Sequence, residues 1–151
     1  MAARRTLSRD EVRAVYDRTG RWQDTQAFYE APAIDVLIAH GNFESAASLF
    51  EIGCGTGRVA ERILREQCFP DARYVGVDLS STMVDLARER LSACPHPTEV
   101  VQTNGGFDFA PSAGTQDRVL ATYVLDLLSD DDRRALLREA HRLLAPSGRL
   151  C

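Results

Sequence analysis

The sequence predicts an α/β fold built on a doubly wound parallel sheet, with helices ahead of it. Three observations predict it. From residue 46 onward, short apolar runs alternate with segments of helical period, the pattern of right-handed strand–helix–strand units. The first apolar run leads straight into three glycines at alternate positions, "GCGTG". Such sheets bind ligands beyond the carboxyl ends of their strands, which is where this cluster falls. At 151 residues the chain has the length of one domain with a real core.

The elements follow in order. Ser8 N-caps a first helix and Glu11, three residues on, completes a capping box. Leu7 and Val12 fit a hydrophobic staple, Val12, Val15 and Tyr16 line one face, and Gly20 ends the helix. "RWQDTQAFYE" has no clear period. A second helix is predicted from Pro32, with Ile34, Leu37 and Ile38 on one side and a stop at Gly41. "SLFEI" reads as a buried first strand, and the helix after it turns Val59, Ala60, Ile63 and Leu64 inward. "RYVGVD" is a second strand. The next helix is capped by Ser80, with Val84, Ala87 and Leu91 inward. "EVVQT" is a third strand, "GGFDFAPSAGTQ" a loop and "RVLATYVL" a fourth strand. Ser129 and three aspartates open a long helix, where negative charge suits the dipole. Leu136, Leu137, Leu143 and Leu144 follow its spacing, "APSG" stops it, and "RLC" starts a fifth strand. Residues 1–45 thus form a helical segment and 46–151 a core of four strands with the opening of a fifth.

Composition excludes several functions. All 18 basic residues are arginine, so neither a P-loop lysine nor a Schiff-base lysine is available. A net charge of -4 without a basic stripe argues against nucleic acid as partner. No apolar run is long enough to span a bilayer, and "MAARRTLSRDE" lacks the apolar stretch of a secretory signal. Cys54, Cys68, Cys94 and Cys151 show no zinc or redox spacing, so free thiols in a reducing, cytoplasmic setting are expected. His40, His96 and His141 have no spaced partners, and no metal is expected.

Glycine costs backbone entropy, so Gly53, Gly55 and Gly57 need a reason. A tight strand-to-helix turn is the plainer one. Two carboxylates argue for more. Asp78 ends the second strand, 21 residues after Gly57, where an acid can accept both ribose hydroxyl hydrogens. Glu51 sits two places before the first glycine. An acid there disfavours a pyrophosphate on the helix N-terminus but suits a cationic ligand. The spacing also departs from G-x-G-x-x-G, because Arg58 stands where that fingerprint has glycine. Adenosine with a positively charged tail, as in S-adenosylmethionine, fits these features.

"FEIGCGTG" with "VGVDLS" resembles the class I S-adenosylmethionine-dependent methyltransferases of the small-molecule type. "TYVLDLL" and "EAHRLLAPSGRL" extend the resemblance, which covers roughly Ala47 to Cys151. It implies a Rossmann-like sheet and S-adenosyl-L-methionine as cofactor. It further implies that Gly53, Gly55 and Gly57, with Cys54 and Thr56 between them, let the backbone approach the methionyl part. Glu51 would hold the ammonium and Asp78 the ribose, with Leu79 and Met83 at the adenine. Where the family often has an acid for the adenine amino group this chain has "QTNGG", so Asn104, beside Gly105, would accept through its side-chain carbonyl.

Methyl transfer asks for proximity and alignment, and for a base only when the acceptor must lose a proton. Tyr123, Asp126 and Tyr16 are the candidates near the acceptor. Strand packing and loop solvation are the plainer readings of the first two. Tyr16, Trp22 and Tyr29 read equally as a lid or as a docked helix. "ATYVLDLL" lacks the Asn/Asp-Pro-Pro-aromatic motif of DNA amino methylation and there is no Pro-Cys nucleophile, so a small-molecule or lipid-like acceptor is expected. A catalytically impaired cofactor-binding module and a nicotinamide-dependent oxidoreductase are the alternatives. The family sheet has seven strands, so the sheet is expected to be incomplete at the C-terminus. The fourth strand then has an edge left open to self-association.

Overall fold

The computed structural model describes residues 8–19, 27–68 and 70–151, without the side chains of residues 9, 12, 16, 19 and 27–30. Helix α1 is Arg9–Thr19. Its capping box forms as expected: Ser8 Oγ accepts from the Glu11 N–H at 3.2 Å and the Ser8 N–H donates to Glu11 Oε2 at 2.8 Å. The Leu7–Val12 staple, Gly20 and Trp22 lie outside the described part, and Val15 is exposed. Helix α2 runs Ala27–Gly41. It starts five residues ahead of Pro32, which therefore sits inside it and forfeits one backbone hydrogen bond.

Strands β1 (Ser48–Ile52), β2 (Arg73–Asp78), β3 (Thr98–Gln102), β4 (Gln116–Leu120) and β5 (Leu144–Leu150) form one sheet in the order β3-β2-β1-β4-β5. Every pairing is parallel. Helices α3 (Arg58–Glu66), α4 (Ser81–Leu91) and α5 (Asp130–Leu143) make the crossovers. Strand β1 alternates between two cores. Leu49 meets Ile34, Ile38, Ile63, Leu64 and Leu91 from α2, α3 and α4. Phe50 and Ile52 meet Leu136, Ala140 and Leu143 from α5. Burying each such side chain is worth about 2 kcal/mol, and the two cores together cover both sheet faces. Strand order reverses between β1 and β4, so the turn after β1 lies at the switch point.

Two expectations about the C-terminal half are corrected. "RVLATYVL" is only half strand: β4 ends at Leu120, and the chain turns away into a 3-10 turn at Leu125–Leu127. The fifth strand is not a stub beginning at Arg149. It begins at Leu144, directly after α5, and "APSG" is a bulge inside it: Gln116 pairs with Leu144, then Arg118 with Arg149 and Val119 with Leu150. The Cys151 N–H donates to Val119 O and the Ala121 N–H to Cys151 O, at 2.8 and 2.9 Å. Strand β4 is therefore paired on both sides, by β1 and β5, and the open edge expected on it is absent. Of the leucines that follow the spacing of α5, Leu136 and Leu143 are buried and Leu137 is exposed.

Arg118 ties α2 to the sheet. It is 3 % exposed. Its Nε donates to Gly41 O at 2.6 Å, and Nη2 donates to Asn42 O and to Ser45 Oγ. Arg149 reaches His40 O at 3.3 Å. Two cations thus sit on the carbonyl end of α2, where the helix dipole favours them. Arg118→Leu should lower unfolding stability by about 2–4 kcal/mol, because buried carbonyls lose charged donors. Chemical denaturation measures this, and a change under 0.5 kcal/mol would contradict the anchoring role.

Candidate functional site

The turn after β1 is stitched to β2: the Gly53 and Cys54 N–H groups both donate to Val77 O, at 2.8 and 3.0 Å. Gly53, Gly55 and Gly57 all have positive φ, at 71°, 53° and 75°, a conformation that side chains disfavour. Beyond that shared need, the three positions differ. A Cβ at Gly53 would lie 2.4 Å from Val124 Cγ2, and one at Gly57 would lie 3.2 Å from Ala87 of α4. Those two glycines allow close packing. A Cβ at Gly55 meets nothing within 4 Å. The middle glycine faces open space, where a ligand can approach the backbone.

A carboxylate stands on each side of this loop. Glu51 in β1 is 1 % exposed. Tyr74 Oη donates to its Oε2 at 2.6 Å and Thr122 Oγ1 to its Oε1 at 3.3 Å. Burial pushes the Glu51 carboxyl up to about 7; the Tyr74 and Thr122 bonds pull it down, and the Asp78 charge adds to the push. Asp78, at the end of β2, is used by the fold itself. Its Oδ2 accepts the Gly55 N–H and its Oδ1 the Ser80 N–H, both at 2.9 Å. Burial raises its pKa, against those hydrogen bonds. Each oxygen keeps a lone pair for a further donor.

Helix α1 docks beside Asp78. Asp17 Oδ1 accepts from Ser80 Oγ at 2.5 Å, and Arg13 Nε donates to Leu79 O at 3.4 Å. Ser80 also caps α4, accepting from the Met83 N–H at 3.3 Å. Leu79 is half-buried at this turn. Met83 is fully buried and presents no surface to a ligand. Asn104 is exposed, and its Oδ1 already accepts the Gly106 N–H at 2.9 Å; Gly105 beside it has φ 87°. Cys54 and Thr56 are buried within the loop. Burial, with the charges of Glu51 and Asp78, holds the Cys54 thiol well above its ordinary value, so it is no thiolate nucleophile.

Tyr123 follows β4 at φ 56° and is 45 % exposed. Its neighbours turn inward, Thr122 to Glu51 and Val124 to Gly53. Asp126 is exposed in the 3-10 turn. The Tyr16 and Tyr29 side chains lie outside the described part. Tyr74, Thr122, Asp17 and Arg13 escaped the sequence reading. Only Tyr74 left a trace there, as an aromatic two residues before a mid-strand glycine.

A family described as "Methyltransferase domain" matches residues 50–150. This chain belongs to that family. A Chromohalobacter salexigens protein named carboxy-S-adenosyl-L-methionine synthase is 34 % identical over 116 residues, which cover 74 % of this chain and 41 % of that protein. A Hahella chejuensis malonyl-[acyl-carrier protein] O-methyltransferase is 26 % identical, over 97 % of this chain and 50 % of its own length. The chain thus spans about half the length of these curated relatives. A solved structure described as a DhpI–SAH complex superposes with a TM-score of 0.71 at 20 % identity, over 91 % of this chain and 64 % of that one. The fold is that of the class I S-adenosylmethionine-dependent methyltransferases, and S-adenosylmethionine is the family's cofactor. The loop has room for such a cofactor: space is open over Gly55, the Glu51 carboxylate is buried beside it and the Asp78 carboxylate is held by backbone N–H groups. Among the described residues no helix is long and apolar enough to cross a membrane.

Proposed function

We propose that this chain binds S-adenosylmethionine over the Gly53–Gly57 loop and directs methyl transfer to a small-molecule or lipid-like acceptor. The observation that carries the reading is the open side of Gly55 between Glu51 and Asp78. When bound, the cofactor supplies a methyl group already activated on a positive sulfur. The chain's own residues bind and orient. Glu51 takes the ammonium, and that cation favours the ionised carboxylate against burial. Asp78, already fixed by two backbone N–H groups, accepts the ribose hydroxyls through its remaining lone pairs. Leu79 supplies apolar surface for the adenine and Asn104, beside Gly105, a polar contact for its amino group. Gly53, Cys54, Thr56 and Gly57 shape the loop backbone around the methionyl part. Helix α1 serves as a cover through its docking on the turn at Leu79 and Ser80.

Tyr123 and Asp126, exposed after β4, face the acceptor in this reading, with Tyr16 from α1 as the third candidate. A proton acceptor is needed only for a hydroxyl or similar acceptor group. The name of the malonyl-[acyl-carrier protein] O-methyltransferase relative supports an acceptor that is not a nucleic acid, as does the net charge of -4. A reducing, cytoplasmic setting suits the four free cysteines. Calorimetry should show binding of S-adenosylmethionine and none of NAD. Transfer of labelled methyl to a metabolite pool separates an enzyme from a binding module. Tight NAD binding, or cofactor binding without any transfer, would overturn the reading.

Gly55→Val tests the loop. A Cβ at this position meets no protein atom within 4 Å, so the main cost to folding is the left-handed backbone, about 1–2 kcal/mol. Cofactor affinity should fall at least tenfold, by about 1.4 kcal/mol or more. Normal binding by a folded variant would show that nothing approaches the backbone there.

A further inference from the structure

We propose that Tyr74 is a positioning residue that aims the Glu51 carboxylate at the cationic amino-acid end of the cofactor, and that position 76 is glycine to let it do so. The inference rests on the reading of Glu51 as the ammonium's partner. Strand register carries the geometry. Glu51 stands opposite Gly76, and Leu49 opposite Tyr74, in the parallel β1–β2 pair. Tyr74 and Gly76 share a sheet face because side chains alternate along a strand. The Tyr74 ring runs along that face and across the place where a side chain at 76 would stand. A Cβ on Gly76 would lie 2.6 Å from Tyr74 Oη and 3.0 Å from both Tyr74 Cε1 and Cys54 Cβ. The vacancy admits the phenol, which then reaches Glu51 Oε2 at 2.6 Å.

Tyr74 is 1 % exposed, so this hydrogen bond is formed out of water, where its loss is most costly. Burial, with Glu51 beside it, keeps the phenol well above its ordinary pKa. It is therefore a fixed donor across the physiological range. Among the described residues, the groups that face Glu51 are Tyr74 and Asp78 of β2, Cys54 of the loop and Thr122 after β4. None of them is a cation. The phenol and the Thr122 hydroxyl alone favour the ionised carboxylate before ligand arrives, and the phenol makes the shorter bond.

The test compares two probes, S-adenosylhomocysteine and 5′-methylthioadenosine, which lacks the amino-acid tail. Tyr74→Phe should weaken S-adenosylhomocysteine about tenfold, the usual worth of a hydrogen bond to a charged group. It should leave methylthioadenosine within about twofold. For the homocysteine probe, the pH midpoint of affinity should move upward by about one unit, because the variant loses a bond that favours the ionised acid. Gly76→Ala, which displaces the phenol without removing it, should show the same ligand-selective loss, and it decides the matter should the Phe variant fail to fold. Equal losses for both probes, or an unmoved midpoint, would overturn the inference and leave Tyr74 as core packing. Failure of the unaltered chain to bind S-adenosylhomocysteine at any pH would instead remove the methyltransferase reading on which it rests.

Discussion

Glu51→Gln should make the ligand-free protein more stable at pH 8 while removing most of its affinity for S-adenosylmethionine. The two effects have one cause. Burial raises the Glu51 carboxyl from 4.5 to about 7, so the folded state holds a proton that the unfolded state releases. Stability therefore falls as pH rises from about 4.5 through about 7, and the loss is complete above that. A shift of that size corresponds to roughly 3 kcal/mol, an upper figure because the site relaxes. Glutamine keeps the shape, accepts from Tyr74 and never ionises. The variant should gain about 1–3 kcal/mol at pH 8 and nothing at pH 4.5, so its profile flattens across this window. Without the negative charge the cofactor's ammonium loses its partner, at a cost of about 2 kcal/mol or more. Denaturant unfolding at several pH values and calorimetry measure both. Equal stability of the two proteins at pH 8 would show that burial does not raise the Glu51 carboxyl, and unchanged cofactor affinity would show that Glu51 is only a structural acid.

How much of this was readable in advance depends on the range of the forces involved. The capping of α1 by Ser8, of α4 by Ser80 and of α5 by Ser129 was legible because each cap bonds within three residues of itself. Strand β2 was legible to both ends, since its pattern and flanking turns are local. The end of β4 was not. "ATYVL" has the composition of a strand, and what bends it away lies far off in sequence: Thr122 bonds Glu51, and Val124 packs on Gly53. The bulge in β5 was hidden for the opposite reason. Proline, serine and glycine signal a break, and only pairing with Gln116 and Arg118 keeps them within a strand. At the site, the glycines and acids could be named from spacing. That Gly57 serves α4 packing, that Gly55 alone faces space, and that Met83 is sealed in the interior depend on tertiary contacts.

Asp78→Ala should impair both folding and cofactor binding, because one carboxylate serves both. Its Oδ2 holds the Gly55 N–H, and thereby the glycine loop; its Oδ1 holds the Ser80 N–H, and thereby the entry to α4. Alanine leaves two partly buried donors without acceptors, for a stability loss of about 2–4 kcal/mol. Loss of the ribose contact weakens cofactor binding by a further ~1.5–3 kcal/mol, the worth of a charge-assisted hydrogen bond. Asp78→Asn should fall between, since its amide oxygen satisfies one N–H while its amide nitrogen opposes the other. The direct part is isolated by a ligand change. A 2′,3′-dideoxy analogue of the cofactor has no hydroxyls to give, so it should bind the unaltered protein weakly and discriminate little between that protein and the Asn variant. In the double-mutant sense, the coupling between ribose hydroxyls and carboxylate should be at least 1 kcal/mol, well above the ~0.5 kcal/mol found for independent sites. Thermal melting of each variant, with calorimetry on both ligands, supplies the four corners of the cycle. A coupling near zero in folded variants would mean that Asp78 only fastens the loop and that the ribose is held by another group.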